Sequence, residues 1–119
     1  MDSRLNYAEL AKQVISDYAA FYAQGGITSL CPVFDEHRQS FLLLDIGWQD
    51  DQYLYNAPIH LDIVHGKIWI QHDDTEEGIA TDLLDAGVPR EDIVLGFRPP
   101  ELRPYTEFGT GAAAESQAA

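Results

Sequence analysis

The spacing of apolar residues changes once along the chain, from a helical period to a strand period. Over residues 4–24 apolar side chains recur at steps of three and four, which predicts an amphipathic α-helix. Ser3 is its predicted N-cap. Gly25 and Gly26 are predicted to end the helix, because glycine adopts the left-handed conformation at little cost. From Phe41 onward apolar residues alternate with polar ones, which predicts half-buried β-strands.

Two short turns set the register of these strands. Asp50-Asp51 and His65-Gly66 each fit a two-residue hairpin turn that places apolar residues opposite one another. The predicted pairs are Trp48–Tyr53, Ile46–Tyr55, Leu44–Ala57, Ile63–Ile68 and Leu61–Ile70. The predicted core-facing residues of the two long strands are Leu42, Leu44, Ile46, Trp48, Tyr53, Tyr55, Ala57, Ile59, Leu61 and Ile63. An earlier strand, LCPVFD, joins them through the turn EHRQ.

The remaining segments complete an α+β pattern. Pro58 cannot donate to a strand ladder, so a bulge is predicted there. The pattern of residues 75–86 predicts a second helix, which ends at Gly87. The stretch DIVLGF predicts a short last strand. The predicted fold is therefore an N-terminal helix, an antiparallel meander of about four strands, a second helix, a short last strand and an extended C-terminal arm, RPPELRPYTEF. These elements are predicted to form a single domain over residues 1–109, followed by a low-complexity tail over residues 110–119 that is expected to be disordered.

A histidine and four acids crowd the junction between the last meander strand and the second helix. They are His72, Asp73, Asp74, Glu76 and Glu77. Zinc requires several converging ligands, but the register places His72 opposite Ile59 and turns His60 to the other face. The stretch also lacks the ligand pattern of a calcium loop. The carboxylates lie in a charged stretch and are expected to be solvated, which argues against an acid/base pair.

Helix capping explains this cluster better. Asp73 or Asp74 can accept hydrogen bonds from the first free N–H groups of the helix. Asp74 and Glu77 have the spacing of a capping box. Acids in the first turn also complement the positive end of the helix dipole.

No other set of residues predicts catalysis. Cys31 precedes a proline in an apolar strand, which predicts a buried, inert thiol, and GGITS lacks the lysine of a phosphate loop. We therefore expect no enzymatic activity, no metal and no cofactor. Because the chain has no apolar run of roughly 20 residues and no signal-peptide pattern at its start, we expect a cytoplasmic protein.

Charge is the strongest compositional feature. Twenty acidic residues against seven basic ones give a net charge of −13 at neutral pH. Nucleic acid is held by clustered Lys and Arg, whereas here these residues are scattered, so the chain alone is not expected to bind it. Eight acids lie between Lys67 and Leu95, as a solvated surface or as a face for a basic partner. Trp69 alternates away from Ile68 and Ile70, so it needs cover from a helix, the C-terminal arm or a partner subunit.

The chain resembles the XisI family, the fdxN element excision controlling factors of cyanobacteria. The matching motifs are GKIWIQ, D-x-T-E-x-G-I-A, L-x-x-x-G-V-P-x-x-D-I-V-L-G-F and P-Y-T-E-F. LLLDIGW followed by IHLDI, and the N-terminal helix, match as well, so the resemblance covers residues 4–109. Arg98 stands where the family often has His or another residue.

The resemblance implies a role in controlling excision of a DNA element during heterocyst differentiation. Members commonly occur beside XisH proteins, which resemble nucleases of the restriction-endonuclease type. No catalytic residue is carried over. Because the chain is acidic, we expect it to act through contacts with an XisH-type protein, and the candidate interface residues are Trp69, Asp73, Asp74, Glu76 and Glu77. The alternatives are an inhibitor or antitoxin-like subunit of such a nuclease, and an enzyme or DNA-binding protein in its own right. An edge strand, Trp69 on the outer face and the proline-containing arm are also consistent with a homodimer.

Overall fold

A single five-stranded sheet with helices against one face forms the protein, in a computed structural model that describes residues 6–111. The elements are α1 (Tyr7–Gln24), β1 (Leu30–Asp35), β2 (Ser40–Gln49), β3 (Gln52–Val64), β4 (Lys67–Asp73), α2 (Ile79–Asp85) and β5 (Ile93–Leu95), with short 3₁₀ helices at Arg90–Asp92 and Arg103–Tyr105. The strands lie in the order β1-β2-β3-β4-β5. The first four form an antiparallel meander, and β5 runs parallel to β4. The predicted α+β class is confirmed.

Helix α1 begins three residues later than predicted. Asn6 is the N-cap, and its side chain accepts a hydrogen bond from the backbone N–H of Glu9 at 3.1 Å. An asparagine oxygen satisfies one of the free N–H groups of the first turn, which fixes the start at Tyr7. The predicted cap, Ser3, lies outside the described residues. The helix ends at the predicted glycine pair, where Gly26 has a φ of 93°.

The hydrophobic core lies between α1, α2 and one face of the sheet. Its fully buried residues include Ala11 and Ile15 from α1, and Ile79 and Leu83 from α2. The sheet contributes Phe41, Leu43, Ile59, Leu61, Ile68, Ile70 and Ile93. The predicted inward positions of Ile59, Leu61, Ile68 and Ile70 are therefore confirmed.

The predicted inner face of β2 is wrong. Phe41 and Leu43 are fully buried, whereas Trp48 is 73% exposed. Because side chains alternate along a strand, Leu42, Leu44, Ile46 and Trp48 belong to the outer face. The sequence pattern is ambiguous here, because FLLL is apolar on both faces.

A bulge at Pro58 explains this error. Leu43 pairs with Ile59, but Asp45 pairs with Asn56. Between these two pairs β3 advances by three residues while β2 advances by two. The extra residue falls at Ala57-Pro58, which confirms the predicted bulge and excludes the predicted Leu44–Ala57 pair. A bulge moves the residues before it to the opposite face, so Tyr53 and Tyr55 are exposed while Ile59 and Leu61 are buried. The other four predicted pairs, Trp48–Tyr53, Ile46–Tyr55, Ile63–Ile68 and Leu61–Ile70, are confirmed.

The segment after β5 folds back over the outer face of β4. The predicted arm is not extended: a turn joins the Leu102 N–H to the Pro99 carbonyl, and the 3₁₀ helix follows. Gly109 then forms a bridge with Val94, and Gly111 lies over Trp69. Of the predicted tail, residues 112–119 lie outside the described residues. Within residues 6–111 no helix is long and apolar enough to cross a membrane.

Candidate protein-binding groove

Asp73 organises the junction between β4 and α2. Its Oδ1 accepts hydrogen bonds from the N–H of Thr75 at 2.9 Å and from the Thr75 hydroxyl at 2.6 Å. Its Oδ2 accepts from the N–H of Ile79, the first residue of α2, at 2.7 Å. Asp73 therefore caps the helix across a loop.

The predicted helix start and capping box are wrong. Helix α2 begins at Ile79 rather than at residue 75, and its N-cap is Gly78. Gly78 has a φ of 88°, a conformation that favours glycine. The loop between Asp73 and Gly78 holds Glu77 ahead of the helix, so it cannot form a capping box with Asp74. The sequence pattern cannot show where the helix begins, because the helical spacing of apolar residues has no sharp boundary with the loop.

The histidines near this junction are held in separate pairs with aspartates. His72 Nε2 lies 2.9 Å from Asp74 Oδ2, and His60 Nε2 lies 2.9 Å from Asp62 Oδ1. His60 is opposite His72, and not Ile59 as predicted, because the register shifts between His60 and Leu61. Within residues 6–111 no group of three or more His, Cys, Asp or Glu residues is arranged to hold a metal ion.

A groove lies on the helix side of the sheet. Helix α1 forms one side of it, and the other side is formed by α2 and by residues 74–78, which join β4 to α2 and which we call the junction loop. Its volume is about 790 Å³. Aromatic and aliphatic residues of α1 form one wall: Leu10, Val14, Tyr18, Phe21 and Tyr22. The carboxylates that line it are Asp17, Glu76, Glu77, Asp82 and Asp85, and none of its described lining residues is Lys, Arg or His. We call this feature the acidic groove.

No basic side chain among the described lining residues compensates the electrostatic repulsion inside the acidic groove. Desolvation by the surrounding groups raises the pKa of Asp82, and the charges of Asp85, Glu77, Asp73 and Asp17 raise it further. Each of these effects disfavours the carboxylate form. A cation placed in the acidic groove would relieve this repulsion.

The aromatic wall gives the acidic groove an apolar surface beside its carboxylates. Burial and a hydrogen bond with Tyr22 raise the pKa of Tyr18 to about 12, so the phenol is neutral at physiological pH. The two rings pack with centroids 4.7 Å apart, and Phe21 is exposed beside them. Aromatic faces attract ammonium and guanidinium groups as well as apolar side chains. The acidic groove thus suits a segment that carries both Lys or Arg and apolar residues.

The structure separates the candidate interface residues predicted from the sequence. Glu76 and Glu77 line the acidic groove, Asp73 is turned inward as the cap, and Asp74 faces His72. Trp69 lies on the opposite face of the sheet and is only 7% exposed.

The C-terminal arm supplies the cover that Trp69 was predicted to need. The guanidinium carbon of Arg103 lies 4.8 Å from the centre of the Trp69 ring, and Arg103 is itself buried. Arg103 donates hydrogen bonds to the carbonyls of Arg98, Gly96 and Thr110. Trp69 therefore holds the arm in place and does not present a free surface.

The exposure of Cys31 differs from the prediction, because the helices cover only one face of β1. It was predicted to be buried but is exposed on edge strand β1. Its neighbour across the ladder is Leu44, and both belong to the outer face. An apolar strand suggests burial only if both of its faces are covered.

Several residues of the acidic groove were not identified from the sequence. Asp17, Tyr18, Phe21 and Tyr22 were assigned to an ordinary amphipathic helix, although Phe21 is 68% exposed. An aromatic residue on the polar side of α1 was the available signal. The contact between α1 and the junction loop cannot be recognised from the sequence of either segment alone.

Comparison with known proteins identifies the family. The XisI protein family model matches residues 1–110. The crystal structure of a XisI-like protein from Anabaena variabilis ATCC 29413 is similar with a TM-score of 0.80 and 38% identity, covering 87% of this chain and 94% of that chain. The crystal structure of fdxN element excision controlling factor XisI from the same organism gives a TM-score of 0.74 and 33% identity, covering 87% and 95%. No curated protein matches the chain. The chain belongs to the XisI family.

Proposed function

We propose that this protein is a non-enzymatic accessory factor in the excision of a DNA element, and that it acts by binding an XisH-type partner. Membership of the XisI family supports a role in element excision, because one similar protein is named an excision controlling factor. That name describes control rather than catalysis.

The acidic groove is the observation that carries the proposed mode of action. Its five carboxylates have no basic neighbour among the described lining residues, and aromatic rings form its other wall. A nuclease-like partner must hold phosphates with Lys and Arg, so it presents surface of the opposite charge. Complementary charge accelerates association and selects this partner over acidic ones. We therefore assign the partner contact to Glu76, Glu77 and the α1 face opposite them.

A binding experiment with matched charge changes tests this assignment. The purified chain and the XisH-type protein are titrated by calorimetry at low salt, and the Glu76→Lys/Glu77→Lys variant is compared with Asp51→Lys/Glu101→Lys. Both variants change the net charge equally, but Asp51 and Glu101 are exposed away from the acidic groove. We expect the groove variant to weaken binding by at least about tenfold and the control to weaken it much less. Equal losses would mean that net charge, not the acidic groove, drives binding.

The density of carboxylates in the acidic groove also favours a second function, restraint of a nuclease by mimicry of DNA charge. In this case the chain would occupy the DNA-binding surface of the partner. Addition of saturating chain would reduce cleavage by the partner, and the Glu76→Lys/Glu77→Lys variant would restore it. Binding without any change in cleavage supports the accessory role and excludes restraint.

A further inference from the structure

The hairpin formed by β2 and β3 extends beyond the rest of the sheet. Strand β1 pairs with β2 only as far as Asp45, and β4 pairs with β3 only from Ile59 onward. Residues 46–56 therefore form a two-stranded ribbon with no further strand on either side. Such ribbons have little stability alone and usually pack against something else.

The side chains on the outer side of this ribbon are aromatic or aliphatic, and the charged residues Asp50 and Asp51 lie in the turn at its end. Trp48 is 73% exposed, Tyr55 71% and Tyr53 51%. Trp48 and Tyr53 face each other across the ladder, with ring centroids 5.2 Å apart. In a chain with a net charge of −13, a cluster of exposed aromatic rings without charge requires an explanation.

The apolar surface continues from the ribbon onto the body of the sheet. By register, Val33 lies beside Leu42 and Cys31 beside Leu44, on the same side as Trp48. We call the combined patch the outer apolar face: Cys31, Val33, Leu42, Leu44, Ile46, Trp48, Tyr53 and Tyr55. All eight are at least partly accessible to solvent.

The fold covers only the other half of this sheet side. The C-terminal arm lies over β4 and β5, where Trp69 and Val94 are buried outside the main core. Helices α1 and α2 pack on the opposite side. Among the described residues, no segment covers the β1 and β2 half or the ribbon.

We propose that the outer apolar face binds a second copy of this chain and forms a two-fold homodimer. The exposed parts of Trp48, Tyr53 and Tyr55 amount to roughly 400 Å², since an aromatic side chain offers about 150–250 Å². A stable interface buries about 800 Å² on each partner. The aromatic rings thus supply about half of that area, and their aliphatic neighbours supply the rest. An apolar patch that meets its own copy satisfies the self-complementarity of a two-fold interface.

Charge favours a second copy that uses this face. Two chains of −13 repel each other through most of their surfaces, whereas the outer apolar face contributes no charged side chain. The acidic groove lies on the opposite side of the sheet, so it stays open and far from its copy. The C-terminal residues 112–119 are a poor alternative cover, because they hold five alanines and no larger apolar side chain.

Sedimentation equilibrium of the full chain tests the dimer between about 1 and 100 μM. We expect a mass of twice 13.3 kDa at the upper end. The Trp48→Lys/Tyr55→Lys variant should dissociate at least about tenfold more readily. Ile27→Lys/Phe97→Lys, which places the same charges on exposed apolar positions outside both the outer apolar face and the acidic groove, should sediment like the wild type. A wild type that is monomeric throughout, or a ribbon variant that still dimerises, overturns the proposal.

Cys31, the single cysteine of the chain, reports on the face without any substitution. Its thiol is exposed in the isolated chain, so its labelling rate should fall as protein concentration rises and the dimer forms. Removal of residues 112–119 should leave this behaviour unchanged. A dimer with no protection of Cys31, or one that depends on residues 112–119, would contradict the proposed interface.

Discussion

At the scale of single residues, neighbouring acids of the junction have different tasks. Asp73 accepts hydrogen bonds from backbone N–H groups in the junction loop and at the start of α2, and Asp74 pairs with a histidine. Glu76 and Glu77 line the acidic groove. Residue type alone could not distinguish them, because each of the four can cap a helix or face solvent. What separates them is the path of the loop, which turns one carboxylate inward.

Asp73→Ala should destabilise the protein because it removes the acceptor for three hydrogen bonds at once. We expect a loss of about 1–2 kcal/mol in the free energy of unfolding, measured with urea. Asp74→Ala is the matched control, since an exposed pair with His72 contributes about 0–1 kcal/mol. Equal effects of the two substitutions would contradict the capping role.

A pH dependence follows from Asp92. It accepts hydrogen bonds from the Tyr7 hydroxyl at 2.6 Å and from Lys67 Nζ at 2.9 Å. Burial raises the pKa of Asp92, but these two hydrogen bonds outweigh it and hold the pKa below its ordinary value of 3.8. Folding therefore stabilises the carboxylate, and this contribution is present above that value and lost as the pH falls below it.

The Asp92→Asn variant isolates this contribution. The wild type should be more stable than the variant at about pH 6, and the difference in unfolding free energy should shrink at about pH 3. Urea unfolding of both proteins at the two pH values measures it. A difference that stays constant would show that Asp92 acts through shape rather than charge.

At the scale of elements, the C-terminal arm depends on the contact between Arg103 and Trp69. The guanidinium stacks on the indole and also donates hydrogen bonds to the backbone carbonyls of Arg98 in the arm and of Gly96 and Thr110 on either side of it. Gly111 completes the contact, because a Cβ at this position would collide with the indole ring. The prediction that Trp69 lies on the outer face was correct, but the arm rather than a partner covers it.

Arg103→Ala should release the arm from β4. We expect a loss of about 2–3 kcal/mol and a red shift of Trp69 fluorescence, measured in a Trp48→Phe background so that one indole reports. Arg98→Ala removes an exposed guanidinium that stacks on Phe97, and should change stability by less than about 0.5 kcal/mol. An unchanged Trp69 emission in the Arg103 variant would mean that the arm is held by other contacts.

At the scale of the whole molecule, the acidic groove and the outer apolar face lie on opposite sides of one sheet. The acidic groove occupies the helix side, and the outer apolar face occupies the other. A net charge of −13 destabilises the compact state through self-repulsion. Burial raises the pKa of Asp82, and the neighbouring carboxylates, which raise it further, are the local part of that repulsion.

Salt should therefore stabilise this protein. Raising NaCl from about 0.05 to 0.5 M shortens the screening length to a few ångströms, so the free energy of unfolding should rise. The increase should be smaller in the Glu76→Gln/Glu77→Gln variant, which has less repulsion in the acidic groove. Thermal or urea unfolding at both salt concentrations measures this effect, and a fall in stability with salt would contradict it.

The sequence alone determined the features that depend on local physics. These include the order of the elements, the α+β class, both hairpin turns, the bulge at Pro58 and the family. Period, turn residues and motif spacing are properties of neighbouring positions, so they can be recognised without a structure. The acidic character of the chain is likewise a matter of composition.

Only the tertiary structure decided which surfaces are covered. Phe41 and Leu43 rather than Leu42 and Leu44 face the core, because α1 packs on one side of a strand that is apolar on both. The acidic groove exists because α1 meets the junction loop, and Trp69 is hidden because the arm folds back over it. Burial results from contacts between distant segments, and such contacts leave no periodic pattern in either segment.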